Sequence, residues 1–139
     1  MDEDQFGNYG GDEGLFWSDF LRKHIQIMII NEISFHDSQI LKVTENPDKQ
    51  MLDFVIDFPT DWENNIFEHK ILRFEDVTFY SLDEIPFHGL PTILNIIDLG
   101  QITKDLSTSN HEWIIIRNKI KIETNAGNRI IEFSDSTFI

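Results

Sequence analysis

The chain of 139 residues contains no cysteine, which excludes disulfide bonds, thiolate metal ligands and cysteine nucleophiles. Long apolar runs are also missing: residues 27–30 form a run of only four, whereas a membrane-spanning helix needs about 20. The N-terminus carries acids instead of the basic start of a secretory signal peptide. These absences predict a protein of the cytoplasm that neither crosses a membrane nor is exported.

Positive charge is scarce in this sequence. There are 25 Asp and Glu residues against 11 Lys and Arg, which gives a formal net charge of -14. Nucleic acids and anionic membranes are bound mainly through Lys and Arg, so this balance argues against direct contact with either. The chain is nevertheless 40% hydrophobic and 12% aromatic, which is too apolar for a disordered acidic tail. We therefore expect a folded protein whose surface attracts a basic partner.

The first fourteen residues differ in composition from the rest of the chain. They hold four glycines and five acids without a single Lys or Arg. This composition predicts a flexible acidic lead over 1–14. The remaining length suits one hydrophobic core, so we expect a single β-rich domain over 15–139.

The apolar residues favour strands over helices. The sequence has 22 Ile and 12 Phe but only 10 Leu and one Ala, and β-branched and aromatic side chains suit a pleated, half-buried surface. An amphipathic pattern from Leu15 predicts an N-terminal helix that ends between His24 and residue 32. A second, short helix is expected over 91–99, begun by Pro91 and stopped by Gly100.

Turn residues divide the chain after position 38 into about eight short strands. Segments 39–44 and 51–58 are expected to form a hairpin. In its second arm Asp53 and Asp57 face outward, and the apolar residues Leu52, Phe54, Ile56 and Phe58 face the core. Segments 68–74 and 77–82 are expected to form a second pair, followed by strands over 112–117, 119–123 and 129–133. The predicted class is mainly β (α+β), an antiparallel β-sandwich or curled sheet.

Catalytic and metal-binding motifs are sparse. Glycine-rich phosphate loops are missing, and His36, His69, His88 and His111 have no spacing typical of a zinc hydrolase. The run His36-Asp37-Ser38 has the letters of a hydrolytic triad, but successive side chains of an extended segment point to opposite sides. We interpret it as a cap in which Asp37 or Ser38 accepts from nearby amides. We expect no cofactor and no metal.

The segment 33–40, Ile-Ser-Phe-His-Asp-Ser-Gln-Ile, is followed by a hairpin, and a second hairpin contains the turn segment 121–128. This arrangement resembles small bacterial immunity proteins of polymorphic toxin and contact-dependent growth inhibition systems, whose β-rich domain begins with an aromatic-His-Asp-Ser element. The resemblance covers 33–82 and 112–133. It implies a non-enzymatic protein that binds and neutralises a cognate toxin domain, and it carries over no site residues.

Many such toxins are nucleases with basic substrate grooves, which an acidic protein can cover by presenting carboxylates in place of phosphates. The candidate partner-binding residues lie on the outward face of strand 51–58 and in the neighbouring loops: Asp53, Asp57, Asp61, Trp62, Glu63, Glu75 and Asp76. We expect the free protein to be a monomer or weak homodimer. Two alternatives stay open, namely an enzyme with an assembled histidine and carboxylate pocket, and a structural or assembly module.

Overall fold

The computed structural model describes residues 30–31, 33–85 and 89–139. This part of the chain forms eight strands: β1 (Gln39–Asn46), β2 (Met51–Asp61), β3 (Ile66–Glu75), β4 (Phe79–Glu84), β5 (Ile93–Asp105), β6 (Ile114–Thr124), β7 (Gly127–Phe133) and β8 (Asp135–Phe138). One antiparallel sheet has the order β1-β2-β3-β8, and the other has the order β4-β7-β6-β5. The mainly β, sandwich-like class predicted from the sequence is therefore confirmed.

Helix is nearly missing from the described residues. They contain one 3-10 turn at Pro47–Lys49, and Ile30 and Asn31 have helical backbone. The acidic lead over 1–14 and the N-terminal helix predicted from Leu15 lie outside the described residues, as does His88. Across the described part of the chain, no helix combines the length and apolar character that crossing a bilayer would require.

The core lies between the inner faces of the two sheets. Strand β2 shows why: every second residue from Leu52 to Ile56 is buried, as the alternation predicted. Two edge-to-face ring contacts join the sheets, Phe74 with Phe133 at 4.8 Å and Phe54 with Tyr80 at 6.0 Å between centroids. The branched side chains of the second sheet, chiefly Ile120, Ile122 and Ile131, complete this core.

The predicted pairing of segments 68–74 and 77–82 is wrong. Strand β3 pairs with β2 and β8 in the first sheet, whereas β4 pairs with β7 in the second. Asp76 has a φ of 53°, and the amides of Val77 and Thr78 then bond to Gln50, in the β1–β2 turn, and to Glu132, on β7 of the second sheet. The bend at Glu75-Asp76 therefore carries the chain across the sandwich instead of reversing it within one sheet.

The short helix predicted over 91–99 is also wrong, because this segment begins the long strand β5. Its pairing with β6 is interrupted between Ile93 and Asn95 and again between Asp98 and Gln101. Each irregularity shifts the side-chain alternation, so Ile93, Ile96 and the neighbouring apolar residues acquire helix-like spacing within a strand. Gly100, with φ 89°, sits in the second bulge and stops no helix.

The strands near the C-terminus differ from the prediction in two respects. Strand β6 is continuous where strands over 112–117 and 119–123 were expected, and the short strand β8 was not anticipated. The turn at 125–128 is present, and Gly127 within it has φ 152°. A side chain there would overlap the Asp83 carbonyl oxygen, which explains the glycine.

Candidate functional site

The β2–β3 hairpin ends in an exposed turn that carries three of the predicted residues. Asp61 closes this turn: Oδ1 accepts from the Asn64 backbone amide at 3.2 Å, and Oδ2 accepts from Asn64 Nδ2 at 2.7 Å. The side-chain hydrogen bond from Asn64 is the largest cause that lowers the pKa of Asp61, so the carboxylate stays ionised in mild acid. Trp62 and Glu63 follow directly and are exposed.

Trp62 is 58% exposed and touches Phe67 edge-on, with 6.4 Å between ring centroids. The first four residues of β3, Ile66 to His69, are all exposed, whereas Pro59, opposite Phe67 on β2, is buried. Asp57 and Glu68 lie on the adjoining strand segments, with Asp57 directly opposite His69. We call this set the hairpin tip: Asp57, Asp61, Trp62, Glu63, Phe67 and Glu68.

The other three predicted residues lie away from the hairpin tip. Asp53 is paired with Arg73 through two hydrogen bonds of 2.8 and 2.9 Å, which neutralise its charge. Hydrogen bonding to the Asp53 side chain is also the main cause that raises the pKa of Arg73. Glu75 and Asp76 stand at the far end of β3, about 26 Å along the strand from Phe67. The structure thus groups Asp57, Asp61, Trp62 and Glu63, and separates Asp53, Glu75 and Asp76 from them.

Asp76 has a local structural role. Its Oδ2 accepts from Ser134 Oγ at 2.6 Å, and its backbone carbonyl accepts from Arg117 Nε at 3.0 Å. These bonds hold the crossing between the two sheets against β6 and against Ser134, which joins β7 to β8. Asp76 is therefore engaged within the protein rather than displayed with the hairpin tip.

The acidic excess is unevenly distributed over the two sheets. The β2–β3 hairpin carries acids at 53, 57, 61, 63, 68 and 75 but only Lys70 and Arg73 as bases. On the second sheet, Glu132 is buried and has Lys104 at 2.6 Å and Lys119 at 4.0 Å. Lys121 lies 3.5 Å from Glu123 on the same strand as Lys119. The negative field is therefore concentrated on the hairpin side.

The histidines that are described lie on different elements. His36 Nδ1 is 2.9 Å from the Leu94 carbonyl oxygen, His69 Nε2 is 3.9 Å from Asp57, and His111 sits in the β5–β6 connection. Within residues 30–31, 33–85 and 89–139, no group of three His, Asp or Glu side chains is arranged to hold a metal ion. A cleft of about 260 Å³ beside the β1–β2 turn is lined by Glu45, Tyr80 and mostly apolar residues.

The His36-Asp37-Ser38 segment docks on β5 through its backbone. The Asp37 amide donates to the Ile93 carbonyl at 2.8 Å, and the Ile93 amide donates to the Ser38 carbonyl at 2.7 Å. The Asp37 carboxylate lies 3.4 Å from His36 Nε2, and Ser38 is buried. Main-chain bonds thus fix this turn, where side-chain capping by Asp37 or Ser38 was predicted.

A second exposed surface was not predicted. It is the hairpin arm, formed by 101–105 of β5 and 114–117 of β6, where Ile114 and Ile116 are 52% and 59% exposed. A signal was present in the sequence: the run Ile114, Ile115, Ile116 is apolar on both faces, unlike a strand with one buried face.

Comparisons of the chain with protein-family models, with curated proteins and with solved structures gave no match.

Proposed function

We propose that this chain is a non-enzymatic immunity protein that binds a cognate toxin domain, a nuclease, and covers its basic substrate site. The observation that carries the proposal is the hairpin tip, where an exposed Trp62 stands between Asp61 and Glu63 in the turn and contacts Phe67. The sequence resemblance to immunity proteins supports the same role.

The physical chemistry of the hairpin tip suits a cationic protein partner. Carboxylates stand in for the phosphates that a nuclease groove holds, and their field accelerates association with a basic surface. A large aromatic side chain that is exposed in the free protein supplies apolar contact area, and Trp is enriched among the residues that dominate binding energy. Phe67, 37% exposed and in contact with Trp62, widens the same apolar surface.

The charge contribution can be tested by association kinetics with the toxin domain encoded beside this gene. Glu63→Lys reverses a charge at the tip, and Asp83→Lys makes the same change on an exposed residue of the second sheet. We expect Glu63→Lys to slow association about threefold or more at low salt, with the difference shrinking as salt rises. Asp83→Lys is the matched control and should change the rate much less.

The contribution of the aromatic anchor can be tested by dissociation kinetics. Trp62→Ala should weaken the complex by about 2 kcal/mol, mainly through faster dissociation, as expected for a central anchor. Trp113→Ala removes a comparably exposed indole, at 53%, from the β5–β6 connection and serves as the control. If both variants lose the same binding free energy, the hairpin tip is not part of the interface. Failure of the wild-type protein to bind or protect against that toxin would refute the proposal as a whole.

A further inference from the structure

Strand β3 is paired on both sides along only part of its length. It pairs with β2 from Ile66 to Phe74, whereas β8 lies beside it over 72–75. Two more main-chain bonds extend the contact with β8: the Ile71 amide donates to the Ile139 carbonyl at 3.0 Å, and the Ile139 amide donates to the Ile71 carbonyl at 2.9 Å. Among the described residues, no strand lies beside 66–70 on this side. We call the segment 66–70 the open edge.

The backbone of the open edge points outward at two residues. In an antiparallel ladder, the main-chain groups of successive residues turn to opposite sides, so residues two apart share a direction. Ile71 bonds on the β8 side, and His69 and Phe67 therefore direct their amides and carbonyls to that same side. Pro59 stands opposite Phe67 and has no amide to donate, which agrees with this direction. The open edge thus presents two donors and two acceptors within about 17 Å of strand.

The open edge is also accessible and regular. The side chains from Ile66 to His69 are exposed, that of His69 by 73%. The register with β2 runs unbroken from Phe67 to Phe74, in contrast to the two bulges of β5. Unpaired main-chain groups on a regular, exposed strand can pair with an extended segment of another protein.

The charge around the open edge favours a basic segment. Residues 57–70 hold four acids and one lysine, Lys70, which lies 3.5 Å from Glu68. A second copy of the chain suits this edge poorly. A symmetric pairing that uses both Phe67 and His69 would place the two Glu68 side chains directly opposite each other, and each chain has a net charge of -14.

We propose that the toxin domain supplies an extended, basic segment that pairs with the open edge and adds a strand to the first sheet beside Phe67 and His69. This proposal rests on the proposed function and specifies how the toxin domain is held. Main-chain bonds to an edge strand supply affinity for almost any sequence, while neighbouring side chains select the partner. Trp62, which contacts Phe67, is next to the open edge, so the aromatic anchor and the added strand form one continuous interface.

Hydrogen exchange of single amides, followed by NMR, measures this pairing in the complex with the toxin domain encoded beside this gene. The amides of Phe67 and His69 face the unpaired side, so we expect them to exchange fast in the free protein and about a hundredfold more slowly in the complex. The Glu68 amide faces β2 and is the internal control, protected in both states.

The outcomes separate the strand pairing from the proposed function. If the toxin domain binds but Phe67 and His69 exchange as fast as in the free protein, the strand pairing is refuted and the proposed function stands. If the toxin domain does not bind, both fail. Protection of these two amides that rises with protein concentration in the absence of toxin would show that a second copy occupies the open edge, which also overturns the proposal.

Two variants at one position separate the amide from its side chain. His69→Pro removes the outward N–H, and an edge strand accommodates proline where that N–H faces solvent. His69→Ala keeps the amide, loses the imidazole and is the matched control. We expect His69→Pro to weaken the complex at least about tenfold more than His69→Ala does, and equal effects would overturn the proposal. Circular dichroism checks that His69→Pro folds, and if it does not, hydrogen exchange in the unaltered protein decides.

Discussion

The ion pair between Arg129 on β7 and Glu84 on β4 is deeply buried. Its side chains are 7% and 10% exposed, and two hydrogen bonds of 2.6 and 2.9 Å join them. Arg129 Nη1 also donates to Tyr80 Oη at 3.1 Å, and its guanidinium lies over the Phe54 ring. Burial alone would lower the pKa of Arg129, but the hydrogen bond with Glu84 contributes to a net rise.

Glu84→Gln keeps the shape of the side chain but removes its charge, and so leaves a buried guanidinium without a counter-ion. Breaking one partner of a buried pair costs about 3–5 kcal/mol, and the retained amide oxygen of Gln still accepts one bond, so we expect about 3 kcal/mol. For a domain of this size that loss lowers Tm by about 10 °C. The measurement is thermal and urea unfolding followed by circular dichroism.

The matched control is Asp53→Asn in the other bidentate pair, Asp53–Arg73, whose side chains are 22% and 33% exposed. Water screens that pair, so its loss should lower the free energy of unfolding far less. The double variant Glu84→Leu/Arg129→Met should recover much of the stability lost in Glu84→Gln, because no unpaired charge remains. If Glu84→Gln unfolds no earlier than Asp53→Asn, the reasoning from burial is refuted.

Three further outcomes follow from other contacts. Burial raises the pKa of Tyr80 despite the opposing effect of Arg129, so the folded protein holds the phenol proton more tightly than the unfolded chain does. Stability from Tyr80 should then be complete below pH about 10, the pKa of an unfolded tyrosine, and should decline as the pH rises further. Tyr80→Phe should reduce the pH dependence of the urea midpoint between pH 9.5 and 11, about the range in which the phenol titrates. A midpoint that still falls with pH as steeply as in the unchanged protein would contradict this. Gly127→Ala should cost about 2 kcal/mol or more in urea unfolding, because its Cβ would meet the Asp83 carbonyl oxygen. Gly100→Ala, at φ 89° with nothing within 4 Å, isolates the strain of a positive φ and should cost less. Asn64→Ala should raise the pKa of Asp61 in an NMR titration, since Asn64 supplies the hydrogen bonds that lower it. A pKa that does not move would argue against this turn geometry.

The sequence predicted local alternation well and long-range pairing poorly. Strand β2 is recognisable because Leu52, Phe54 and Ile56 occupy every second position and acids stand at 53 and 57, and one period-two face is enough to mark a strand. Of the seven candidate binding residues, Asp61, Trp62 and Glu63 lie together in the structure because they are consecutive. Strand β5 was misread because its bulges break that period, and strand pairing is decided by contacts distant in sequence.

The separation of Asp53 and Glu75 from the hairpin tip illustrates the same limit. Alternation correctly predicts that Asp53 and Asp57 share a face of β2, and both do point away from the core. Alternation contains no information about Arg73, which is twenty residues further along the chain. The strand register places Arg73 opposite Asp53, and the guanidinium neutralises the carboxylate. A count of acids along one strand therefore overestimates the charge that a partner would meet.

The two irregularities in β5 also affect how the protein behaves at high concentration. Strand β5 is an edge of the second sheet, thirteen residues long and rich in isoleucine, and such edges readily pair with other molecules. The bulges at Ile93/Asn95 and Asp98/Gln101 interrupt the regular row of amides and carbonyls that a second strand would need. A straight β5, with Gly100 removed to restore the alternation, would offer an unbroken edge for aggregation. The same distortion that gives the segment helix-like spacing in sequence thus removes the regular edge that a second strand would need.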